Sequence, residues 1–516
     1  MWVAGGLAAL ATITAAADPF DVTTAARDTA ATLSAPRERV DLSRKDRGRV
    51  AAVTRPTADF AAAERFEARP GGAATTTARI DGNVFSHPSA NLTLAGRQDF
   101  FVGNGIFKKL WVSSPSSTAA SDGLGPLYNA RACQRCHLKD GRGHPPSGPD
   151  DVATSMLVRL SVPPATPRDR QALASLEALV MPEPTYGGQL QDFAVPSLAA
   201  EGRLALDWVE HEVALAGGES VRLRAPVAAI TDLSDGPLAP GTMVSLRIAN
   251  PMIGLGLLEA IHPADILANA DPDDADDDGI SGRASVVRDP RTGALTLGRF
   301  GWKATAPSVE AQSAAAFSGD IGISSALHPD PYGECTGGQA ACRALPTGVQ
   351  THMGDTEITD EMLDLVTFYS KNLAVPARRD VDDPAVLEGK RLFYETGCAS
   401  CHTPKFVTGR DALNPEHRFQ LVWPYTDMLL HDMGEGLADD RPVGTASGRE
   451  WRTPPLWGVG LTQTVNGHDS LLHDGRARGV LEAVLWHGGE AQAARDKVVE
   501  MTPEEREALV RFVESL

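Results

Sequence analysis

Apolar residues run almost unbroken from Trp2 to about Ile13, and Ala15, Ala16 and Ala17 follow. That pattern predicts an export signal over 1–17, although no basic segment precedes it, and the run is too short to span a bilayer comfortably. From 18 to 80 the chain turns to Ala, Thr, Arg and Asp with little sustained periodicity, which predicts a disordered segment. Order is expected from 81 onward, where "NVFSHPSANLTLAGRQDFFVGNGIFKKLWV" gathers aromatic and aliphatic residues.

Two later stretches, "DEMLDLVTFYSKNL" at 360–373 and "EEREALVRFVESL" at 504–516, each put Leu-Val-x-Phe on the apolar face of a short helix. Each closes a unit, which makes a weak internal repeat. "AVPARRDVDDPA" reads as a linker between them, and "VLEGKRLFYETG" as an amphipathic helix entering the second unit. The boundary falls within Val375–Asp383, giving units 81–375 and 376–516. The first is much the longer, and "SMLVRLSV" and "TMVSLRIA" mark β-type insertions within 155–248.

At 516 residues the chain has room for two or three cores, and its net charge of −19 argues against a nucleic-acid partner. An acidic face suits either plain solvation or the steering of a basic redox partner. No segment after the signal is apolar enough to cross a membrane.

Six cysteines sharpen the picture. "CQRCH" (Cys133, Cys136, His137) and "CASCH" (Cys398, Cys401, His402) repeat one spacing. Two thiols three apart, followed at once by histidine, are what covalent c-type haem attachment requires. Zinc would need two more ligands per motif, and none stand at zinc-site spacing. Thiol exchange would need a βαβ frame that the pattern does not supply. Two covalently bound c-type haems are therefore expected. Cys335 and Cys342 bracket a Gly-rich loop with no adjacent histidine. In an exported chain they are expected to form a local disulfide, the alternative being two unbridged thiols. The predicted fold class is mainly α: two cytochrome c-like haem domains, the first with large β-containing insertions.

Four stretches carry a resemblance. They are "GLGPLYNARACQRCHLKDGRG", "GRFGWKATAPSVEAQSAAAFSGDIGIS", "PYTDMLLHDMGEGLADD" and "EWRTPPLWGVGLTQTVNGHDSLLHDGRARGVLEAVLWHGGEA". Together they resemble the bacterial di-haem oxidoreductases, which sometimes carry a thiol oxidoreductase label and are related to di-haem cytochrome c peroxidases and MauG-type enzymes. The resemblance spans roughly 83–516. It implies a tryptophan between the haems, matched by Trp302, and a distal glutamine at the first haem, matched by Gln312. The distal glutamate of the peroxidase branch falls on Gly322, so the resemblance leaves Asp320 or Glu310 to replace that acid. The sixth-ligand position of the second haem falls on His487, fourteen residues after His473; His431 and Met433 are the next candidates. Trp457-Gly458 and His468 depart from the peroxidase pattern, the latter replacing a threonine that helps hold an interhaem calcium.

Separately, "DDADDDGISGR" places Asp274, Asp276 and Asp278 at the spacing of a calcium-loop start, with Ser285 where a full loop needs glutamate. Calcium binding and a solvated acidic loop both fit. The expected function is a periplasmic di-haem oxidoreductase using peroxide or another small oxidant. Electrons from a small redox protein would enter at the His402 haem and pass through Trp302 to an open His137 haem. The alternative is a non-catalytic di-haem carrier or redox subunit, serving metal uptake.

Overall fold

A computed structural model describes residues 21–516, apart from 36, 119–120, 149–150, 152–154, 351 and 353. The export signal expected over 1–17 lies outside the described residues.

Two helix pairs organise the chain. Leu94–Lys108 packs against Asp360–Lys371, and Pro384–Thr396 packs against Pro503–Ser515. All four begin at a capping side chain (Thr93, Thr359, Asp383 and Thr502) that accepts from first-turn amides otherwise without partners. A glycine makes each crossing. A Cβ on Gly103 would collide with the Leu365 carbonyl and Tyr369, and one on Gly389 with the Ala508 carbonyl and Phe512. Tyr369 therefore corresponds to Phe512, one residue away from the Leu-Val-x-Phe alignment. Tyr369 is wholly buried, while Phe368 is only half-buried at the edge.

Four residues after each glycine, on the same helix face, comes a phenylalanine. The Phe107 and Phe393 rings each lie 6.3 Å from a motif histidine, His137 and His402 respectively. The helix pairs thus build two similar cradles.

Helix accounts for 32% of the chain and strand for 16%, so helices lead. The strands form seven two-stranded antiparallel ribbons among the described residues. The longest, Arg203–Ala214 with Ser220–Thr231, and the Met156–Ser161/Met243–Ile248 ribbon fall inside the expected insertion. Strand is not confined to the first unit, because short ribbons also pair within 406–422, 430–452 and 470–478. The insertion packs on the second unit: Met156, Val158, Leu215 and Leu223 share one core with Phe393, Trp486 and Phe512.

Residues 21–80, expected to be disordered, are structured where described. Helices form at Val22–Ala30 and Arg44–Thr54, burying Ala26 and Val50. Their anchors are polar and distant in sequence, which is why no apolar period announced them. Arg39 pairs with Asp265 at 2.7 Å, and buried Glu67 pairs with Arg378 and, at 2.7 Å, with Lys390. The expected linker is a packed crossing: Ala374, Val375 and Arg378 are buried, and Ala377 N–H donates to the Thr76 carbonyl at 2.9 Å.

Candidate functional site

Each motif forms a single tight turn ending at its histidine. His137 Nδ1 lies 2.8 Å from the Asn250 carbonyl, and His402 Nδ1 lies 2.9 Å from the Tyr425 carbonyl. A carbonyl can only accept, so both rings carry their proton on Nδ1 and leave Nε2 as a ligand. Burial favours the neutral rings, lowering the His137 pKa and pushing His402 down to about 4. It pushes the Cys133 and Cys398 thiols up to about 12, and Cys136 and Cys401 upward as well. Reactive dithiols are shifted the other way.

Beside the first motif lies a cavity of about 510 Å³, lined by Cys133, Cys136, His137, Trp302, Gln312 and Asp320 among others. That volume is in the range of cofactor sites, roughly 300–1,000 Å³. Its wall also carries Arg142 and Arg452, buried to 6% and 5% exposure. Burial lowers both guanidiniums to about 10; Arg452 lowers Arg142 further, Asp427 acts the other way on Arg452, and neither arginine has a salt bridge among the described residues. Arg142 Nε and Nη1 and Arg441 Nε, on the same wall, have no hydrogen-bond partner. Unpaired buried cations are costly, so this wall calls for an anion. A haem bound to the two cysteines and His137 brings two carboxylates, and the residues fit it.

The three candidate distal groups separate in the structure. Gln312 and Asp320 line the cavity, whereas Glu310 does not; it pairs with Arg291 outside. Gln312 and Glu310 share the helix Val309–Ala316, where two residues are about 200° of rotation, so one can face inward only if the other faces away. Asp320 sits in a π-turn, Phe317–Ile321, its Oδ1 accepting from Gln189 Nε2 at 2.9 Å. His328 also lines the cavity. It and the arginines come from scattered segments; Arg142 and Arg452 stand inside two of the resembling stretches, but no spacing singled them out.

Trp302 is buried on the cavity wall, donating from Nε1 to the Ile248 carbonyl at 2.8 Å. At the second motif, His487 lies close enough to His402 to lower its pKa further, after burial. His487 Nδ1 lies 2.7 Å from the Ala483 carbonyl, which again leaves Nε2 free. His431 has no nitrogen to spare: Nε2 is 2.8 Å from Asp427 and Nδ1 2.6 Å from Glu490. Those carboxylates hold its pKa well above the ordinary value against the opposing effect of burial. His487 and His402 therefore fit a haem with two imidazole ligands, and His431 is removed from the ligand candidates.

The acidic loop gathers a different triad from the one expected. Asp271, Asp274 and Asp276 bring ligand atoms within 4.8 Å of one another, while Asp278 accepts from Ile280 N–H at 2.9 Å. Cys335 and Cys342 form a disulfide, Cα atoms 6.1 Å apart.

The geometry defines a haem-binding redox protein. Residues 66–516 match the family model described as "Di-haem oxidoreductase, putative peroxidase", and the chain belongs to that family. Among solved structures it is similar to the diheme peroxidase BthA from Burkholderia thailandensis E264, at 17% identity and a TM-score of 0.26, over 45% of this chain and 68% of that one. No curated protein matches.

Proposed function

We propose that this chain is an exported peroxidase-like oxidoreductase carrying two covalently attached haems, which reduces peroxide at the His137 site with electrons received at the His402 site. One observation carries the reading: the sites differ. His487 presents a free imidazole nitrogen to the second, whereas the first opens on a cavity lined by Gln312 and Asp320.

Haem iron supplies one-electron redox chemistry at both sites. Reducing hydrogen peroxide to two waters takes up two electrons and two protons. The Gln312 amide orients the peroxide by hydrogen bonding, and the Asp320 carboxyl passes protons from its cavity-facing oxygen to the leaving oxygen. Trp302 links this cavity to the second unit. A small redox protein is the proposed donor, with the acidic net charge favouring a basic one. No helix among the described residues is long and apolar enough to cross a membrane.

The test is electron paramagnetic resonance of the oxidised protein, followed by peroxide. One high-spin and one low-spin haem, the former reacting with peroxide after partial reduction, is the expected result. The rival reading, a di-haem electron carrier, draws on His328 as a second imidazole on the cavity wall. Two low-spin haems inert to peroxide would favour it.

A further inference from the structure

Gln189 belongs to the insertion, far in sequence from both motifs, yet it reaches the first site. Its backbone bridges Arg159 on the Met156–Ser161 strand, so the ribbon fixes its position. The side chain is completely buried. Its Nε2 donates to Asp320 Oδ1 at 2.9 Å, Asn129 Oδ1 at 2.5 Å and the Gly319 carbonyl at 3.2 Å. Asn129 Nδ2 in turn donates to Asp192 Oδ2 at 2.9 Å, so two amides join two carboxyls. The backbone is held too: Asn129 and Ala130 N–H both donate to the Asp320 carbonyl, at 2.8 and 3.0 Å. Gln189 Oε1 has no partner, so nothing but these donors explains a buried amide here.

We propose that Gln189 is the positioning residue for Asp320, fixing Oδ1 behind the cavity wall so that Oδ2 is the oxygen offered to the ligand's proton. The insertion thereby contributes to the first site while packing on the second unit. This inference rests on the peroxidase reading of that site.

Cyanide association with the oxidised holoprotein reads this without turnover. Hydrogen cyanide must lose its proton as cyanide binds; the H–C bond breaks and the proton passes to the Asp320 carboxylate. At fixed pH, Asp320→Asn, which removes the proton acceptor, should therefore slow association by roughly tenfold or more. Gln189→Met, which keeps the shape but removes the donor, should slow it in the same direction while both haems stay attached and dissociation is little changed. Gln189→Glu, which puts an acceptor where the donor stood, should do the same. If cyanide binds and Asp320→Asn slows association, but neither Gln189 variant does, the inference is overturned while the peroxidase reading stands. If the protein binds no cyanide, or Asp320→Asn leaves the rate unchanged, Asp320 is not the acid and both fail.

Discussion

The imidazole of His473 lies flat against the indole of Trp451, ring centroids 3.8 Å apart and planes 13° from parallel. The same imidazole meets Trp302 edge-on at 6.4 Å. Burial pushes His473 down to about 4, so a neutral ring joins the two indoles. Trp451 is also the cross-strand partner of His431, whose Nδ1 is 3.6 Å from Cys401 Sγ. An aromatic path thus leads from the second motif to the cavity of the first. Trp302→Phe should slow electron transfer between the sites, measured by rapid reduction of the second haem, while cyanide affinity stays unchanged. It should also cost about 1–3 kcal/mol of stability, because the Ile248 carbonyl loses its donor. An unchanged transfer rate would put the route elsewhere.

The second site should open when its imidazole is removed. His487→Ala is expected to convert one low-spin signal to high-spin, leaving the other haem's spectrum as it was. Retention of the low-spin signal would mean a different ligand.

Attachment chemistry is checked by mass. Protein made in a host able to attach c-type haem should exceed its polypeptide mass by two haems, and Cys398→Ala with Cys401→Ala should remove one of them. A wild-type excess of one haem or none contradicts the assignment.

Contiguous chemistry was the legible part. Cys-x-x-Cys-His is readable because attachment and proximal ligation need adjacent residues, and His487 follows from a fixed spacing in the resembling family. The anion-seeking wall was not readable, because Arg142, Arg452 and Arg441 converge from separate segments. Residues 21–80 misled for a related reason: their order depends on ion pairs with Asp265, Arg378 and Lys390, hundreds of residues away. The choice between Glu310 and Gln312 was partly open to helix geometry, which allows only one to face a given wall.

His431 offers a pH test. Its folded pKa is raised, so its stabilisation is present below the unfolded value of about 6.5 and fades only as pH rises through the higher folded value. Glu490 is lowered, with a side-chain hydrogen bond from His431 as the leading favourable cause against burial, so its share is lost as pH falls below about 4.5. Between those limits His431→Gln should cost about 3–5 kcal/mol in urea unfolding, because buried Asp427 and partly buried Glu490 lose their cation. A loss below about 1 kcal/mol would show that the ring is not charged.

The glycine crossings predict a steric penalty. Gly389→Ala should destabilise the second unit by about 1–3 kcal/mol, since the Ala508 carbonyl has no room to yield. Wild-type melting would contradict so close an approach.

The ribbon of residues 203–231 reaches from the first unit onto the second. Arg224 donates to the Arg476 carbonyl at 3.1 Å, the Val499 carbonyl accepts from Ala216 N–H at 2.9 Å, and Arg506 pairs with Glu219 at 2.6 Å. A joint closed by such a clasp, with a buried crossing segment behind it, has little freedom to hinge. Tunnelling decays steeply with separation, so every ångström of breathing between the two halves would scatter the rate of electron passage. On the proposed reading, holding that gap constant would make the timing of each electron transfer a property of the scaffold.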